Sequence, residues 1–364
     1  MRVFNLFRPF QPSPAGPRAF AWMQFVSFLL FFTTAECGYL IAAEKVLGDG
    51  PKPPADKDNA EPALYDFAAN INKEIVPART DAQMKEFLDK RLEELNSSIG
   101  GTWRMIETKH FYCFSNIPEA KHRMIANVWN ETDFYATLAR VLMHKEGDKL
   151  WNNKCPTYYF DKYGQFQKFA AVIDKNPGAG RSGGYFSSRG RDVHICIPFY
   201  SERKHGVDLD TQAHNTVIHE GTHAFLQLTG EDVRLSRWLQ EGLAQFMEFY
   251  CYKIHTNDKY DGERERRISL LKRDITADTV PTWSEMKERP AGGTDIAGYA
   301  YAWSKLEFLY NNSNKTNLPG MIKKIKSGMS EDEAMASQFG QPVSKLESVY
   351  LNWMKSMCKQ NFKF

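Results

Sequence analysis

The stretch "TVIHEGTHAF", residues 216–225, decides what the rest of the chain must build. On an α-helix, residues four apart lie on the same face, so His219 and His223 can both face one metal ion. Glu220 would then lie beside the metal, where a carboxylate can take a proton from an attacking water and pass it to a leaving amine. The flanking residues are uncharged. This is typical of a helix buried behind an active site, whereas a surface helix that merely carries two histidines would include charges.

The next predicted helix offers a third ligand. In "RWLQEGLAQFMEF", residues 237–249, Glu241 stands among apolar residues such as Trp238. Burying a carboxylate in such surroundings is costly unless a cation pairs with it. A catalytic zinc ion takes three protein ligands and keeps one position open for water. The sequence therefore predicts one Zn²⁺ held by His219, His223 and Glu241.

The two motifs together resemble those of a known enzyme class. HExxH followed by W-x-x-E-G-L-A resembles the gluzincin metallopeptidases. The wider layout is similar to a family of uncharacterised bacterial peptidase-MA-like domains of the same clan. That layout has an α/β segment, a "GGY" hairpin, the two motifs, a tryptophan-bearing helix like "YAYAWSKLEFL" (299–309) and a final G-x-S-x-x-E-A stretch (328–334). The similarity spans residues 102–356, and the metal motifs are its specific part.

The resemblance implies a role for each residue of the motifs. His219, His223 and Glu241 would bind zinc, and Glu220 would be the general base. Members of the class also supply a Tyr or His further along the chain that stabilises the oxyanion. Tyr299 is the first candidate for that role, and packing in the core is its alternative.

Two further positions bear on the same resemblance. Tyr301 is a second, weaker candidate for the oxyanion donor. Related enzymes often carry an Asp four residues after the glutamate ligand, which orients a zinc-bound histidine. This chain has Gln245 there, whose amide can accept a hydrogen bond but brings no charge.

The predicted fold class is α+β. Residues 102–210 are expected to form a mixed α/β subdomain, and residues 211–358 a mainly helical, zincin-type metal-binding subdomain. In the first, "GGYFSSRGRDVHICIPF" (183–199) predicts a hairpin at the edge of a sheet. That edge is either a docking strand for an extended peptide or an ordinary sheet edge. Other elements of this subdomain are predicted as strands at 110–115 and 157–161 and a helix at 118–143.

The N-terminus predicts export. Residues 1–43 hold three arginines and then the apolar run "MQFVSFLLFFTTA" (23–35). They fit either a signal peptide cut after Ala35 or an uncut membrane anchor. Residues 44–65, rich in proline and polar residues, are predicted to be a linker. Residues 66–101 are a helical lead-in, with a helix at about 81–95.

Composition excludes some classes of function. The 364 residues are 42% hydrophobic, which is enough for a packed core and too apolar for a disordered chain. The net charge of +3 comes without a long basic run, so nucleic acid is not an expected partner. None of the six cysteines forms a CxxC pair, so no cysteine-based zinc site is indicated. Disulfides and single buried thiols both remain open.

These observations predict an exported, zinc-dependent metallopeptidase that acts on peptides or proteins. It would work outside the cytoplasm, secreted, periplasmic or attached to the membrane through its N-terminus. The alternative is a non-catalytic, metal-stabilised binding or scaffold domain at the cell surface. An intact Glu220 favours the enzyme, since a scaffold has no need of a general base.

Overall fold

The computed structural model describes residues 79–144, 154–187, 193–199, 209–228, 235–256, 261–288 and 296–360. The predicted signal peptide or anchor (1–43), the linker (44–65) and the start of the lead-in lie outside the described residues. The turn of the predicted hairpin also lies outside them. Within the described ranges, no helix combines the length and the apolarity needed to cross a membrane.

The first helix, α1 (Asp81–Glu94), confirms the one predicted at 81–95. It begins at a reciprocal cap, in which the Thr80 side chain accepts from the Gln83 N–H and the Gln83 side chain accepts from the Thr80 N–H. Such a cap satisfies two backbone donors that a helix start leaves unpaired. The chain continues helically through a π turn at Leu95–Ile99.

A five-stranded mixed sheet follows, with the order β1-β2-β3-β5-β4. Its inner pairs, β2 with β3 and β3 with β5, are parallel. The outer pairs, β1 with β2 and β4 with β5, are antiparallel. Among the described strands, β4 therefore lies at an edge, and β4 with β5 is the predicted edge hairpin. The strands are β1 (Arg104–Glu107), β2 (Phe111–Ser115), β3 (Cys155–Phe160), β4 (Tyr185–Ser187) and β5 (His194–Pro198).

The helix predicted at 118–143 is present, but its middle is wound more widely than an α-helix. It consists of α2 (Glu119–Met124), a π-helical segment (Ile125–Ala136) and α3 (Thr137–Val141). The Thr132 hydroxyl donates to the carbonyl five residues back, that of Asn127. Two shorter helical elements, α4 (Tyr163–Val172) and a 3₁₀ turn (Ala179–Arg181), complete the N-terminal part.

From residue 209 onward the described chain is helical, as predicted for the C-terminal part. The sequence predicts helices here at about 211–229, 236–254, 298–311, 318–327, 331–338 and 343–358, and it does not predict α7 and α8. The helices are α5 (Leu209–Leu228), α6 (Arg237–Thr256), α7 (Asp261–Thr276), α8 (Trp283–Glu288), α9 (Ile296–Asn311), α10 (Asn317–Lys326), α11 (Glu331–Phe339) and α12 (Val343–Lys359).

Helices α6 and α9 approach each other closely at Gly242. A Cβ on Gly242 would lie 2.8 Å from the Ala302 carbonyl oxygen and 2.8 Å from a methyl carbon of Leu306. Both distances are shorter than a carbon atom tolerates, and one of the two contacts is with backbone. The glycine of the E-G-L-A motif is thus explained by helix packing.

A buried lysine lies between the last helices. Lys305 on α9 places its Nζ 4.3 Å from the ring centre of Trp283 and 4.4 Å from that of Tyr350. These cation–π contacts join α8 and α12 to α9. Burial lowers the pKa of Lys305 to about 7, although Glu347 and Glu285 act in the opposite direction.

The thiols in the described ranges are unpaired, which decides between the two expectations for those cysteines. Four of them are buried and the fifth is half-buried. Cys37 lies outside the described residues. The free thiols are Cys113, Cys155, Cys196, Cys251 and Cys358.

Candidate metal centre

Helices α5 and α6 bring the three predicted ligands together. His219 and His223 project from α5, and their Nε2 atoms are 3.3 Å apart. The Glu241 carboxylate on α6 places Oε2 3.4 Å from His219 Nε2 and 3.5 Å from His223 Nε2. The three side chains retain 15%, 14% and 12% of their exposure, so solvent reaches the group.

The spacing of these atoms fits a bound metal better than it fits hydrogen bonds. Three ligands of a tetrahedral ion, with bonds of about 2.0–2.1 Å, lie about 3.3 Å from one another. Glu241 Oε2 is buried and makes no hydrogen bond of acceptable geometry within the described part of the chain. A buried carboxylate oxygen without a partner is costly, and a cation would satisfy it. His219, His223 and Glu241 thus form a group able to hold a metal ion.

The charges in the group reinforce one another. Burial alone would raise the pKa of Glu241, but His223 and His219 hold it well below its usual range. Burial likewise opposes a charge on His219, yet Glu241 and Glu248 raise its pKa well above the ordinary value. A metal ion would take the place of that proton, because a cation and a proton compete for the same nitrogen lone pair.

Glu248 supplies the charged partner that the sequence analysis missed. Its Oε1 lies 2.6 Å from His219 Nδ1. A carboxylate can only accept, so Nδ1 carries the proton, and the lone pair of Nε2 is left for a metal. Glu248 lies two helical turns after Glu241 on the same face of α6, and that spacing was visible in the sequence.

Gln245 contacts both His219 and Glu248. Its amide nitrogen lies 3.0 Å from His219 Nδ1, but it does not donate there, because Nδ1 carries the proton that it gives to Glu248. The same nitrogen donates to Glu248 Oε1 at 2.5 Å. Gln245 therefore holds the carboxylate that orients the histidine. The charge that an Asp at position 245 would bring is supplied by Glu248.

Glu220 lies between the metal group and the edge strand. The backbone of Phe186 on β4 is close enough to the Glu220 carboxyl group to lower its pKa slightly. Burial raises the pKa of Glu220, which the neighbouring His219 and His223 partly offset. A raised carboxyl pKa suits proton transfer near neutral pH, whereas a bound dication would act in the opposite direction. The role of Glu220 as general base stays a prediction.

The two tyrosines proposed for the oxyanion have different surroundings. The Tyr299 ring lies 6.3 Å from the His219 ring, and its side chain is half-buried. The Tyr301 hydroxyl donates to Asp274 on α7 and is buried. Tyr301 therefore acts in helix packing. Tyr299 remains the candidate that borders the metal group.

A second group of metal-ligating side chains occurs in the described residues. It contains Asp174, His194 and Cys196. Here His194 Nε2 is 2.9 Å from Asp174 Oδ2, and the Tyr185 hydroxyl donates to the same oxygen at 2.5 Å.

The second group lies on the other face of the sheet from α5. Ile195 and Ile197 of β5 pack in one core cluster with Val217 of α5. Cys196, which points the opposite way on the same strand, packs in another cluster with Phe166 of α4.

Comparison with models of known protein families gives no match, and comparison with curated protein sequences gives none either. The resemblance to gluzincins therefore rests on the site residues themselves. What the structure shows is a mainly helical part that carries an HExxH…E-like group of metal-ligating side chains.

Proposed function

We propose that this chain is a zinc-dependent peptidase. The observation that carries the proposal is the spacing of 3.3, 3.4 and 3.5 Å among the three ligand atoms of His219, His223 and Glu241. Two imidazoles and one carboxylate with an open fourth position are a ligand set of catalytic zinc. Glu220 adds a carboxylate where a general base is needed.

Each residue of the site has a part in the proposed reaction. Zinc, when bound, supplies Lewis acidity, which polarises a peptide carbonyl and makes water a nucleophile near neutral pH. Glu220 takes the proton of the attacking water and passes it to the leaving amine nitrogen. Glu248 keeps His219 in the tautomer that presents Nε2. Tyr299 donates a hydrogen bond to the developing oxyanion.

The edge strand supports an extended peptide as the substrate. Strand β4 pairs with β5 on one side only among the described strands. Gly184, just before the strand, packs closely on Thr216, so this end of the hairpin lies beside the helix that carries His219 and His223. An extended chain can pair with such an edge through backbone hydrogen bonds, which tolerates many side chains.

Replacing Glu220 by Gln tests the proposal. The three ligands stay in place, so zinc content and melting temperature should be unchanged. Cleavage of a peptide library should fall by at least about 10²-fold, as is typical of a lost general base. The control is Glu93→Gln, which changes an exposed glutamate on α1 and should alter neither property.

Two results would contradict this assignment. Loss of zinc in Glu220→Gln would mean that Glu220 is a ligand and not a base. A wild-type protein that binds zinc but cleaves no peptide would favour the metal-stabilised binding domain instead.

We also propose that the protein is exported. The basic start and the apolar run at 23–35 support this assignment. Mass spectrometry of the native protein should find a mature N-terminus at Glu36. An intact leader on a membrane-bound protein would indicate an anchor, and an intact leader on a protein of the cytoplasm would contradict export.

A further inference from the structure

Arg237 places a positive charge beside the metal group. It is the first residue of α6, one helical turn before Glu241. Its Nη2 lies 3.7 Å from Glu241 Oε1, and the other oxygen of the same carboxylate faces His219 and His223. The Arg237 side chain is 34% exposed, compared with 12% for Glu241. A guanidinium group thus lies next to a metal ligand at a point that solvent reaches.

The contact between Arg237 and Glu241 differs from an ion pair that stabilises a helix. Such a pair occurs on α2, where Arg123 donates to Glu119 Oε1 from Nε at 2.9 Å and from Nη2 at 2.5 Å. There the acidic residue comes first in the chain, which is the more favourable order. On α6 the order is reversed, and 3.7 Å is too long for a hydrogen bond.

The position of Arg237 is also unfavourable for α6 itself. The N-terminal end of a helix carries a partial positive charge, so acidic side chains stabilise that end and basic side chains weaken it. Arg237 stands at this end, and the first turn of α6 contains no acidic residue. Helix stability therefore does not account for a basic residue at this position, whereas an anionic ligand would.

A guanidinium group is suited to a carboxylate ligand. Arginine presents several N–H donors in one plane, and a carboxylate can accept two of them at once. A metal ion at the group would share the negative charge of Glu241 and so weaken its attraction for Arg237. Every peptide substrate with a free C-terminus carries a carboxylate, and some peptides carry acidic side chains as well.

The reach of a peptide matches the distance from the metal group to Arg237. An extended chain advances about 3.3–3.6 Å per residue, so a C-terminal carboxylate lies about 3.5 Å from the scissile carbonyl carbon if one residue leaves. It lies about 7 Å away if two residues leave. Arg237 and the two histidines contact the two oxygens of one carboxylate, that of Glu241, so their separation is on the same scale.

We propose that Arg237 binds a carboxylate of the substrate on the leaving side of the scissile bond. The inference rests on the proposed function and assigns to it a class of substrate, namely peptides with a negative charge one or two residues after the cleaved bond. The carboxylate belongs either to the C-terminus, as in a carboxypeptidase, or to an acidic side chain in a longer chain. Arg237 selects the substrate in this assignment and transfers no proton.

Two pairs of peptides distinguish the two sources of the carboxylate. The first pair shares one sequence and ends in a free carboxylate or in an amide. The second pair is amidated and carries Glu or Gln at one internal position. Wild type should cleave the charged member of at least one pair with a kcat/KM higher by about 10- to 100-fold, as a hydrogen bond to a charged group implies. Equal kcat/KM within both pairs would overturn the inference.

Replacing Arg237 tests the residue itself. In Arg237→Gln the ratio of kcat/KM within the preferred pair should fall to about 1, and Arg237→Lys should keep part of the ratio because it keeps the charge without the planar fork. Arg123→Gln is the matched control, since it also removes an arginine that pairs with a glutamate four residues away on a helix. It should keep the wild-type ratio. A wild-type ratio in Arg237→Gln would overturn the inference.

Zinc affinity separates substrate binding from support of a metal ligand. Arg237→Gln removes a cation beside the metal, so zinc should bind as tightly as in wild type or more tightly in competition with a chelator. An arginine whose role is to orient Glu241 would have the opposite effect. Its replacement would weaken zinc binding by about 10- to 100-fold, and that result would overturn the inference.

A binding measurement separates this inference from the proposed function. The same peptides, labelled with a fluorophore at the N-terminus, can be titrated with zinc-loaded Glu220→Gln. The charged member of one pair should bind at least about 10-fold more tightly than its neutral partner, and adding Arg237→Gln should abolish the difference. That result in a protein whose wild type cleaves no peptide would support the role of Arg237 and contradict the proposed function alone. Equal dissociation constants in such a protein would overturn the inference as well.

Discussion

The metal group (His219, His223 and Glu241) and the Asp174 group (Asp174, His194 and Cys196) contain similar side chains. They differ in whether those side chains already satisfy one another by hydrogen bonds. In the metal group, two imidazoles and a carboxylate converge at 3.3 to 3.5 Å, and Glu241 Oε2 lacks a hydrogen bond. In the other, Asp174 Oδ2 accepts from His194 at 2.9 Å and from Tyr185 at 2.5 Å. The difference teaches that spacing and unmet hydrogen-bonding capacity mark a metal site, whereas residue type alone does not.

The energetic reason is that a metal must replace what is already there. At the Asp174 group, an ion would have to break two hydrogen bonds in a buried place, which costs about 1–3 kcal/mol for each polar group left unpaired. At the metal group, there is no such bond to Glu241 Oε2 to break. We therefore expect a metal ion at His219, His223 and Glu241 and none at Asp174, His194 and Cys196. Four measurements test this contrast.

The largest effect is expected from Glu241→Gln. An uncharged amide is a poor metal ligand, so zinc affinity should fall by more than the roughly 10–100-fold that follows loss of a contact to a ligand. Thermal stability in the presence of zinc should fall with it, because a site filled at 100 times its Kd contributes about 2.7 kcal/mol. Elemental analysis and melting curves check both. A second zinc ion in wild type that is absent from Asp174→Asn would contradict the expectation of a single metal site.

A smaller effect is expected from Glu248→Gln. The Nδ1–H of His219 would lose a charged acceptor, and zinc affinity should fall by about 10- to 100-fold. Competition with a chromophoric chelator measures this. Gln245→Ala serves for comparison and should weaken zinc less, since Gln245 acts on Glu248. The reverse order of the two variants would contradict the assignment of Glu248.

At the Asp174 group we expect a loss of stability and no loss of zinc. Asp174→Asn replaces a charged acceptor of two buried hydrogen bonds by an amide, which should lower the free energy of unfolding by about 1.5 kcal/mol. Urea denaturation measures this change, and Asp89→Asn on the exposed face of α1 is the control. Zinc content should stay at one per chain in both variants. A fall in zinc content in Asp174→Asn would show that the two groups are coupled.

The smallest effect concerns the thiol of the Asp174 group. Burial first, and then Asp174, raise the pKa of Cys196 well above its usual value of 9.0. Above pH 9 the thiol loses its proton in the unfolded chain but keeps it in the folded protein. The free energy of unfolding is therefore unaffected by this thiol below pH 9 and falls by about 1.4 kcal/mol for each pH unit above it.

The variant Cys196→Ala isolates that contribution. Between pH 9 and 10.5 its free energy of unfolding should fall less steeply than that of wild type. The two slopes should differ by about 1.4 kcal/mol per pH unit, which corresponds to one proton. Denaturant unfolding across this range measures the slope. A thiolate bound to a metal would have no proton to lose, so equal slopes in the two proteins would favour a second metal site and break the contrast.

Much of the metal group was predictable, because helical spacing is a local property. The distance between His219 and His223 follows from the helix, and the burial of Glu241 follows from the apolar residues around it. Glu248 also follows the helical repeat of α6, but the pattern of related enzymes points to position 245. Which of the two side chains reaches Nδ1 of His219 depends on how α5 and α6 pack, and the sequence does not give that packing.

The Asp174 group could not be predicted in the same way. Asp174, Tyr185 and His194 lie on three different elements, and their contact depends on the register of Tyr185 opposite Cys196. Register is a property of the folded sheet. Helix α7 was missed for another reason, since its many charged residues (DGERERRISLLKRDIT) hide the apolar stripe that includes Ile268 and Leu271.

The folding of the last helices is coupled to the release of a proton from Lys305, which lies between two aromatic rings. An unfolded Lys305 holds its proton up to about pH 10.5, whereas the folded side chain begins to release it near pH 7. Folding therefore expels a proton between these limits, and the helices gain about 1.4 kcal/mol for each pH unit as the solution becomes more alkaline. Below pH 7 that gain is absent, so the contribution of Lys305 to stability is smallest in acid. A calorimeter would register the released proton through the buffer that absorbs it.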